Sequence, residues 1–175
     1  MQGMLYNIDA MNIGIYYNRD QADASVAEEL AVLVRARGHV AHIFSELEQI
    51  VRADRLIVLG GDGTMLRVAL RASLLNLPIV GVNFGTLGFL TEFERDERDQ
   101  VVALASDENC AILQRSMLEA ELNGKTFNCL NELALLHPVY PGQRNKVVRL
   151  AVTIDGSRAG EFVADGLIVT TPTGS

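Results

Sequence analysis

A glycine-rich turn at residues 60–63, with the sequence Gly-Gly-Asp-Gly, constrains the fold of this chain most strongly. An uninterrupted apolar run at residues 56–59 precedes the turn, and the apolar residues that follow it recur at the spacing of one helix face. The pattern predicts a buried strand, a tight turn and a helix that begins at Thr64 and ends near Asn76. This order is typical of α/β proteins.

The same turn is suited to bind phosphate. Glycines let a ligand approach the backbone closely, and the first amides of a helix have no partner inside it and carry its positive dipole end. Arg67, expected in the first turn of this helix, would be unfavourable by about 0.3–1 kcal/mol unless an anion lay nearby. The alternative is a purely structural turn with Asp62 as the helix cap. The candidate phosphate-binding residues are Gly60, Gly61, Gly63 and Thr64.

The segments around the turn predict an α/β domain over residues 12–108, after a lead segment at residues 1–11. A helix should begin at a capping box at Ser25, and a later one at residues 94–106 should turn Val101, Val102 and Leu104 inward. Buried strands that alternate with helices favour a doubly wound, mostly parallel sheet. The predicted strands cover residues 12–18, 39–44, 55–59 and 78–83.

A second glycine-containing loop, at residues 83–89, should emerge at the same edge of the sheet as the first turn. Ligands of open α/β sheets bind beyond the carboxyl ends of the strands, so both loops are candidates for a binding site. Phe89 in this loop is suited to stack on a base, although an anchor in the core is an equal alternative.

From residue 109 to residue 175 the pattern favours a second, mainly antiparallel, β-rich domain. Asn123-Gly124 and Asp155-Gly156 have the sequence of two-residue hairpin turns. The predicted strands cover residues 111–122, 125–136, 147–154, 158–163 and 167–171.

Polar residues interrupt this β region at two places. Asn131 and Glu132 lie inside an apolar strand, where a buried carboxylate needs a hydrogen-bond donor; a ligand hydroxyl or the backbone amides of a bulge would provide it. Asp165 begins a second turn and strand, which lead to a loop of small residues ending in Ser175. The hydroxyls and amides of that loop would form a cradle for a ligand.

The composition excludes some partners. The formal net charge is −7 and no basic cluster is present, which argues against binding to nucleic acid or to an acidic membrane surface. No apolar run approaches the roughly 20 residues that cross a bilayer, and the N-terminus lacks the pattern of a signal peptide. A cytoplasmic location is therefore expected.

Four motifs, in this order, resemble those of the bacterial NAD kinases: the segments at residues 60–64, 83–90, 131–132 and 165–175. The resemblance implies that the γ-phosphoryl group of ATP is transferred to the 2′-hydroxyl of the adenosine ribose of NAD, which gives NADP. It also implies Mg²⁺ bound with the ATP phosphates, no metal ligands from the protein, and a homodimer or homotetramer.

The resemblance assigns roles to single residues. Asp62 would accept the proton of the ribose hydroxyl, while Gly60, Gly61, Gly63 and Thr64 would line the phosphates of ATP. The residues that would contact NAD by this resemblance are Asp62, Gly63, Arg67, Asn131, Glu132 and Asp165. The chemistry of the two loops adds Phe89 and Ser175 as candidate NAD contacts.

The chain departs from the family pattern in two respects. Many bacterial members carry a basic residue where this chain has Val163, so the cationic contact would come from Arg144, Lys146 or Arg158, or be absent. The family also continues beyond the Thr-Gly-Ser at which this chain stops, so a truncated second domain is expected. Alternative functions are a lipid or sugar kinase that shares the glycine turn, a non-catalytic dinucleotide-binding module, and a structural fragment that binds nothing.

Overall fold

The computed structural model describes residues 10–86, 88–137 and 147–175. The chain divides into two compact units, of which the first ends at Gln114 and the second begins at Arg115. The boundary expected from the sequence lies a few residues earlier, after residue 108. Within the described ranges, no helix has the length and apolar character needed to cross a membrane.

The described residues of the first unit form one parallel sheet with helices on both faces. Its strand order is β2-β1-β3-β4-β5, and every pair of neighbours is parallel, so the predicted doubly wound sheet is confirmed. The strands are β1 Asn12–Tyr17, β2 Val40–Phe44, β3 Arg55–Gly60, β4 Ile79–Asn83 and β5 Phe93–Glu94. The helices are α1 Ala24–Ala36, α2 Asp62–Leu75 and α3 Arg98–Ala105, with a 3-10 turn at Leu47–Gln49.

Strand β3 forms the centre of the core because both of its faces are covered. Ile57 and Leu59 pack in one apolar cluster with α1 and α3, while Leu56 and Val58 pack in the other with α2. All four side chains are fully buried. Burial of such side chains stabilises the fold by about 1.5–3 kcal/mol each, so β3 holds the glycine turn at its end in a fixed place.

Two predicted helix starts are wrong. Helix α1 begins at Ala24 with Asp23 as its N-cap, and no side chain forms the capping bond; Ser25 lies inside the helix, so the predicted capping box is absent there. Helix α2 begins at Asp62, two residues before the predicted Thr64, and its N-cap is Gly61. Asp62 is therefore not the cap of this helix.

The predicted helix at residues 94–106 is shorter in the structure. Pairing with β4 draws Phe93 and Glu94 into β5, so α3 begins only at Arg98. Val101 and Val102 are buried as predicted, but the inward orientation predicted for Leu104 is wrong, since Leu104 is exposed and Ala105 lies in the core instead.

The described part of the second unit is β-rich, as predicted, and consists of three antiparallel pairs: β6 with β7, β8 with β11, and β9 with β10. Residues of both predicted hairpin turns adopt positive φ, namely Asn123, Gly124, Asp155 and Gly156, as two-residue turns of this type require. The strands are β6 Leu118–Leu122, β7 Lys125–Cys129, β8 Glu132–Leu136, β9 Val148–Ile154, β10 Ser157–Ala164 and β11 Gly166–Thr170.

Two strand predictions in this unit need correction. The strand expected at residues 111–122 begins only at Leu118, and the strand expected at residues 125–136 is interrupted at Leu130 and Asn131. The carbonyl groups of these two residues accept hydrogen bonds from Thr171 instead of from a neighbouring strand, which explains the interruption.

Candidate functional site

The glycine turn lies where the strand order of the sheet reverses. Strand β1 has β2 on one side and β3 on the other, so the connections that leave β1 and β3 diverge to opposite faces of the sheet. In open α/β sheets with this strand order, the crevice between such connections is the common ligand site. The fold therefore places residues 60–64 at the edge where a ligand is expected.

Helix α2 begins with two amides that have no acceptor among the described residues, those of Asp62 and Gly63. The next two amides, of Thr64 and Met65, donate to the carbonyl oxygen of Gly61 at 2.9 and 3.0 Å. A Cβ placed on Gly63 would have no atom within 4 Å, so the space beside it is open. Free amides at an open helix start suit an anion such as phosphate.

The Asp62 carboxylate holds the second glycine loop against the start of α2. One oxygen accepts the amide of Phe89 at 2.9 Å and the other accepts the amide of Leu90 at 3.0 Å. A Cβ on Gly88 would lie 2.6 Å from the Asp62 carboxylate, so a side chain at that position would displace the carboxylate. Each carboxylate oxygen has a further lone pair, and Asp62 can still accept a proton or a hydrogen bond from a ligand.

Close packing leaves no room for a side chain on Gly60, and the two glycine loops lie in van der Waals contact at Gly61. A Cβ on Gly60 would lie 2.6 Å from the side chain of Thr64, which is buried under the turn. A Cβ on Gly61 would lie 3.9 Å from the Cα atom of Gly85 in the second loop. The two glycine loops therefore approach each other backbone to backbone.

Two residues that the sequence analysis did not single out support the turn from the end of β1. The side-chain oxygen of Gln21 accepts hydrogen bonds from the Gly61 amide at 3.1 Å and from the Thr64 hydroxyl at 3.0 Å. Asn18 donates to the Thr64 hydroxyl at 2.9 Å. One sequence signal could have identified these two residues: their polar loop directly follows the buried strand β1, which lies across the switch point from β3.

The second loop is fixed at its start by Asn83 and open at Phe89. The Asn83 side chain is buried, accepts the amide of Gly85 at 3.0 Å and donates to the Glu94 carboxylate at 3.2 Å. The Phe89 side chain is 89% exposed, so the alternative in which it anchors the loop in the core is wrong. Stacking on a base remains a prediction.

Arg67 lies in the second turn of α2, so its predicted place in the first turn is wrong. Its side chain is exposed and forms no hydrogen bond or ion pair with the described residues. Burial raises the pKa of the Tyr16 hydroxyl, and the positive charge of Arg67 opposes this rise. The guanidinium group is thus near the end of β1 and has no partner there within the described part of the chain.

In the second unit, Asn131 and Glu132 are in different environments. The side-chain oxygen Oδ1 of Asn131 is buried and has no hydrogen-bond partner in the described part of the chain. Glu132 is the first residue of β8 and is exposed, so the predicted buried carboxylate is wrong at Glu132. No backbone amide of the described residues donates to the Asn131 oxygen.

The small-residue loop at the end of the chain packs on Asn131. The Thr171 hydroxyl donates to the Leu130 carbonyl at 2.6 Å, and the Thr171 amide donates to the Asn131 carbonyl at 2.8 Å. A Cβ on Gly174 would lie 2.6 Å from the Asn131 backbone. Within this unit the structure thus brings the loop that ends in Ser175 together with Asn131.

Asp165 is not brought to the same place. In the β8–β11 ladder, Glu132 pairs with Thr170 at one end. Asp165 lies just beyond the other end, immediately before β11, where its carbonyl accepts the amide of His137. Four residues of antiparallel strand separate the two ends, a distance of about 14 Å. Arg158, one of the proposed basic replacements, forms an ion pair with Glu161, and Arg144 and Lys146 lie outside the described residues.

Comparison with known proteins identifies the family. The family model of the ATP-NAD kinase N-terminal domain matches residues 14–109, the range that contains both glycine loops. The chain belongs to the NAD kinase family. The resemblance predicted from the sequence motifs is thereby confirmed at the level of the family.

Several NAD kinases are similar in sequence. The NAD kinase of Pyrococcus abyssi is 36% identical over 94% of this chain and 64% of its own length. The NAD kinase of Thermococcus kodakarensis is 43% identical over 70% of this chain and 43% of its own length. The NAD kinase of Pseudomonas putida is 38% identical over 70% of this chain and 42% of its own length. The chain thus spans less than two thirds of the NAD kinases to which it is compared, and these include archaeal as well as bacterial members.

Two solved structures, of an NADH kinase and of an NAD kinase, share the fold. Yeast NADH kinase complexed with NADH superposes with a TM-score of 0.69 at 23% identity, over 95% of this chain and 59% of that one. The NAD kinase of Archaeoglobus fulgidus in complex with ATP superposes with a TM-score of 0.67 at 22% identity, over 94% of this chain and 62% of that one. At this identity the superpositions establish the NAD kinase fold.

Proposed function

We propose that the protein is an ATP-dependent NAD kinase, which transfers the γ-phosphoryl group of ATP to the 2′-hydroxyl of the adenosine ribose of NAD. One observation carries this proposal: in a chain of the NAD kinase family, a lone carboxylate and two free amides meet at the switch point of the sheet. Phosphoryl transfer needs mainly positioning and stabilisation of charge, which such a site can provide.

Within the first unit, the amides of Asp62 and Gly63 would bind phosphate oxygens at the open start of α2. Gly60, Gly61 and Thr64 would form the turn beneath them. The Asp62 carboxylate would accept the proton of the attacking hydroxyl through a lone pair that the loop amides leave free. The NAD kinase of Archaeoglobus fulgidus was crystallised in complex with ATP, which supports the choice of phosphoryl donor.

The residues of the turn fit a magnesium ion that arrives with ATP. Mg²⁺ usually keeps several waters and is held by substrate phosphates with one or two carboxylates. Within residues 10–86, 88–137 and 147–175, no group of three or more His, Cys, Asp or Glu side chains is placed to hold a metal ion. The Asp62 carboxylate is on the first residue of α2, whose own amide is one of the two free ones. Such an ion would neutralise charge on the phosphates.

Within the second unit, the buried Asn131 oxygen supports contact with NAD. A buried acceptor without a partner costs free energy, and a ribose hydroxyl can supply the missing donor. Glu132 follows Asn131 in the chain, and Ser175 follows Gly174, which packs on the Asn131 backbone, so both would bind the same nucleoside. Phe89, Arg67 and Asp165 would contact other parts of NAD. The yeast structure with NADH supports a dinucleotide as the acceptor.

Replacing Glu132 with alanine is expected to weaken NAD binding by about 1–3 kcal/mol, because a charged hydrogen bond to a ribose hydroxyl is lost. Thermal stability should change little, since the Glu132 side chain is exposed at a strand start. Glu119→Ala is the matched control, because Glu119 is an exposed strand glutamate of the same unit. Calorimetry that finds equal NAD affinity in both variants would contradict this contact.

The remaining features of the proposal concern the complete protein. The motifs favour an enzyme of the bacterial type, whereas the similar NAD kinases include archaeal and bacterial members and favour neither. A cytoplasmic homodimer or homotetramer is part of the same proposal. Sedimentation of the complete gene product and fractionation of cells that express it measure these two properties.

The proposed reaction is tested by offering the complete gene product a set of acceptors. ATP labelled in the γ-phosphoryl group is supplied with NAD, with a diacylglycerol, or with a phosphorylated sugar. We expect label only in the NAD product, which an NADP-specific dehydrogenase then reduces. Transfer to the lipid or the sugar would indicate a related kinase, and binding of NAD without transfer would indicate a non-catalytic module.

A further inference from the structure

Gln21 contacts the glycine turn but has no role in the reaction proposed above. Its backbone is fixed at the end of β1, because the Asn18 amide donates to the Leu59 carbonyl and the Asn18 carbonyl accepts the Gln21 and Ala22 amides, at 2.9 to 3.0 Å. Ala22 is buried beside it. The Gln21 side chain therefore starts from a rigid turn across the switch point.

Three donors converge on the side-chain oxygen of Gln21. They are the Gly61 amide at 3.1 Å, the Thr64 hydroxyl at 3.0 Å and the Asn18 side-chain amide at 3.2 Å. A carboxamide turned over would place its NH₂ group against all three, so these contacts determine its orientation. The nitrogen then points towards Gly61 and Gly85, 3.6 and 3.8 Å from a Cβ placed on each.

These bonds determine which amides of the turn are free. The Gly61 amide is used by Gln21, while the amides of Asp62 and Gly63 have no acceptor among the described residues. The Thr64 hydroxyl, held by Gln21 and Asn18, packs directly under Gly60. Gln21 thus sets the orientation of the peptide between Gly60 and Gly61, and the two free amides, of Asp62 and Gly63, come directly after it in the chain.

We propose that Gln21 is a positioning residue for phosphoryl transfer. By accepting the Gly61 amide, it fixes the peptide between Gly60 and Gly61 so that the amides of Asp62 and Gly63 face the phosphates. This inference rests on the proposed function. A displacement of about 1 Å at a reacting centre can cost on the order of 10²-fold in rate, so loss of the Gln21 acceptor should affect turnover.

The test compares Gln21→Leu with Gln49→Leu in the complete gene product. Both wild-type side chains are exposed and accept backbone amides, since Gln49 accepts the amides of Ser45 and Glu46 at 3.2 Å in the 3-10 turn. We expect Gln21→Leu to lower kcat about tenfold or more, with the KM for NAD within about twofold of wild type. Gln49→Leu should leave both constants unchanged.

Hydrogen exchange of the Gly61 amide provides a second readout. Gln21→Leu should accelerate this exchange at least about tenfold, whereas Gln21→Glu, which keeps an oxygen acceptor, should restore slow exchange and a kcat within about threefold of wild type. Normal kcat in Gln21→Leu, or an equal loss of kcat in Gln49→Leu, would overturn the inference.

Failure of the proposed function gives a different result. If the wild-type protein does not phosphorylate NAD, the proposed function is wrong, and ATP affinity then decides the role of Gln21. A Gln21→Leu variant that binds ATP at least about fivefold more weakly than wild type supports the positioning of the amides. Equal ATP affinity in the two proteins overturns it.

Discussion

Replacing Asp62 with asparagine is expected to lower kcat for NADP formation by at least about 10²-fold, because the carboxylate proposed to accept the ribose proton is lost. The KM for NAD should change much less, since the proposed NAD contacts also include residues of the second unit. Steady-state kinetics of the complete gene product measure both constants. Turnover near the wild-type rate would contradict the assignment of Asp62 as the base.

The control for this variant must separate base catalysis from the position of the second loop, because the carboxylate also holds the amides of Phe89 and Leu90. Asn83→Ala removes the side chain that accepts the Gly85 amide and so loosens the same loop at its other end. We expect kcat of Asn83→Ala to fall by less than about tenfold. A loss as large as that of Asp62→Asn would assign the effect to the loop.

Replacing Gly63 with alanine is expected to separate stability from activity. Gly63 is in the first turn of α2 and a Cβ there meets no atom within 4 Å, so alanine should stabilise the fold by about 0.5–1 kcal/mol through its higher helix propensity. The same Cβ would lie in the space predicted for the phosphates, so kcat/KM for ATP should fall on the order of 10²-fold.

Ser73→Ala provides the matched comparison for Gly63→Ala. Ser73 is exposed near the other end of α2, and alanine there should also favour the helix. Thermal unfolding and kinetics of the two variants are measured together. If Gly63→Ala keeps wild-type kcat/KM for ATP, the phosphates do not pass over the start of α2, and the phosphate site proposed at the glycine turn is wrong.

Local sequence patterns predicted the parts of the fold that depend on neighbouring residues. The apolar run before Gly60 has the composition of a strand buried on both faces, and the structure buries it on both. Asn123-Gly124 determined its turn because few other pairs adopt two consecutive positive φ values. In both cases the physical cause lies within a few residues.

The parts that were missed depend on contacts between distant segments. The role of Asp62 as a holder of the second loop depends on amides 27 and 28 residues further along the chain. The support from Gln21 reaches Gly61 across 40 residues and needs the 2-1-3 order of the strands, which no local pattern specifies. The interruption at Asn131 likewise follows from the packing of Thr171.

The position of the transferred phosphoryl group tests the proposed reaction most directly. The complete gene product is incubated with ATP and NAD, and the product is isolated and examined by mass spectrometry and phosphorus NMR. The proposed mechanism predicts one added phosphate monoester, on the 2′-oxygen of the adenosine ribose, which Asp62→Asn forms at least about 10²-fold more slowly. A phosphate on any other oxygen of NAD, or no transfer at all, would contradict it.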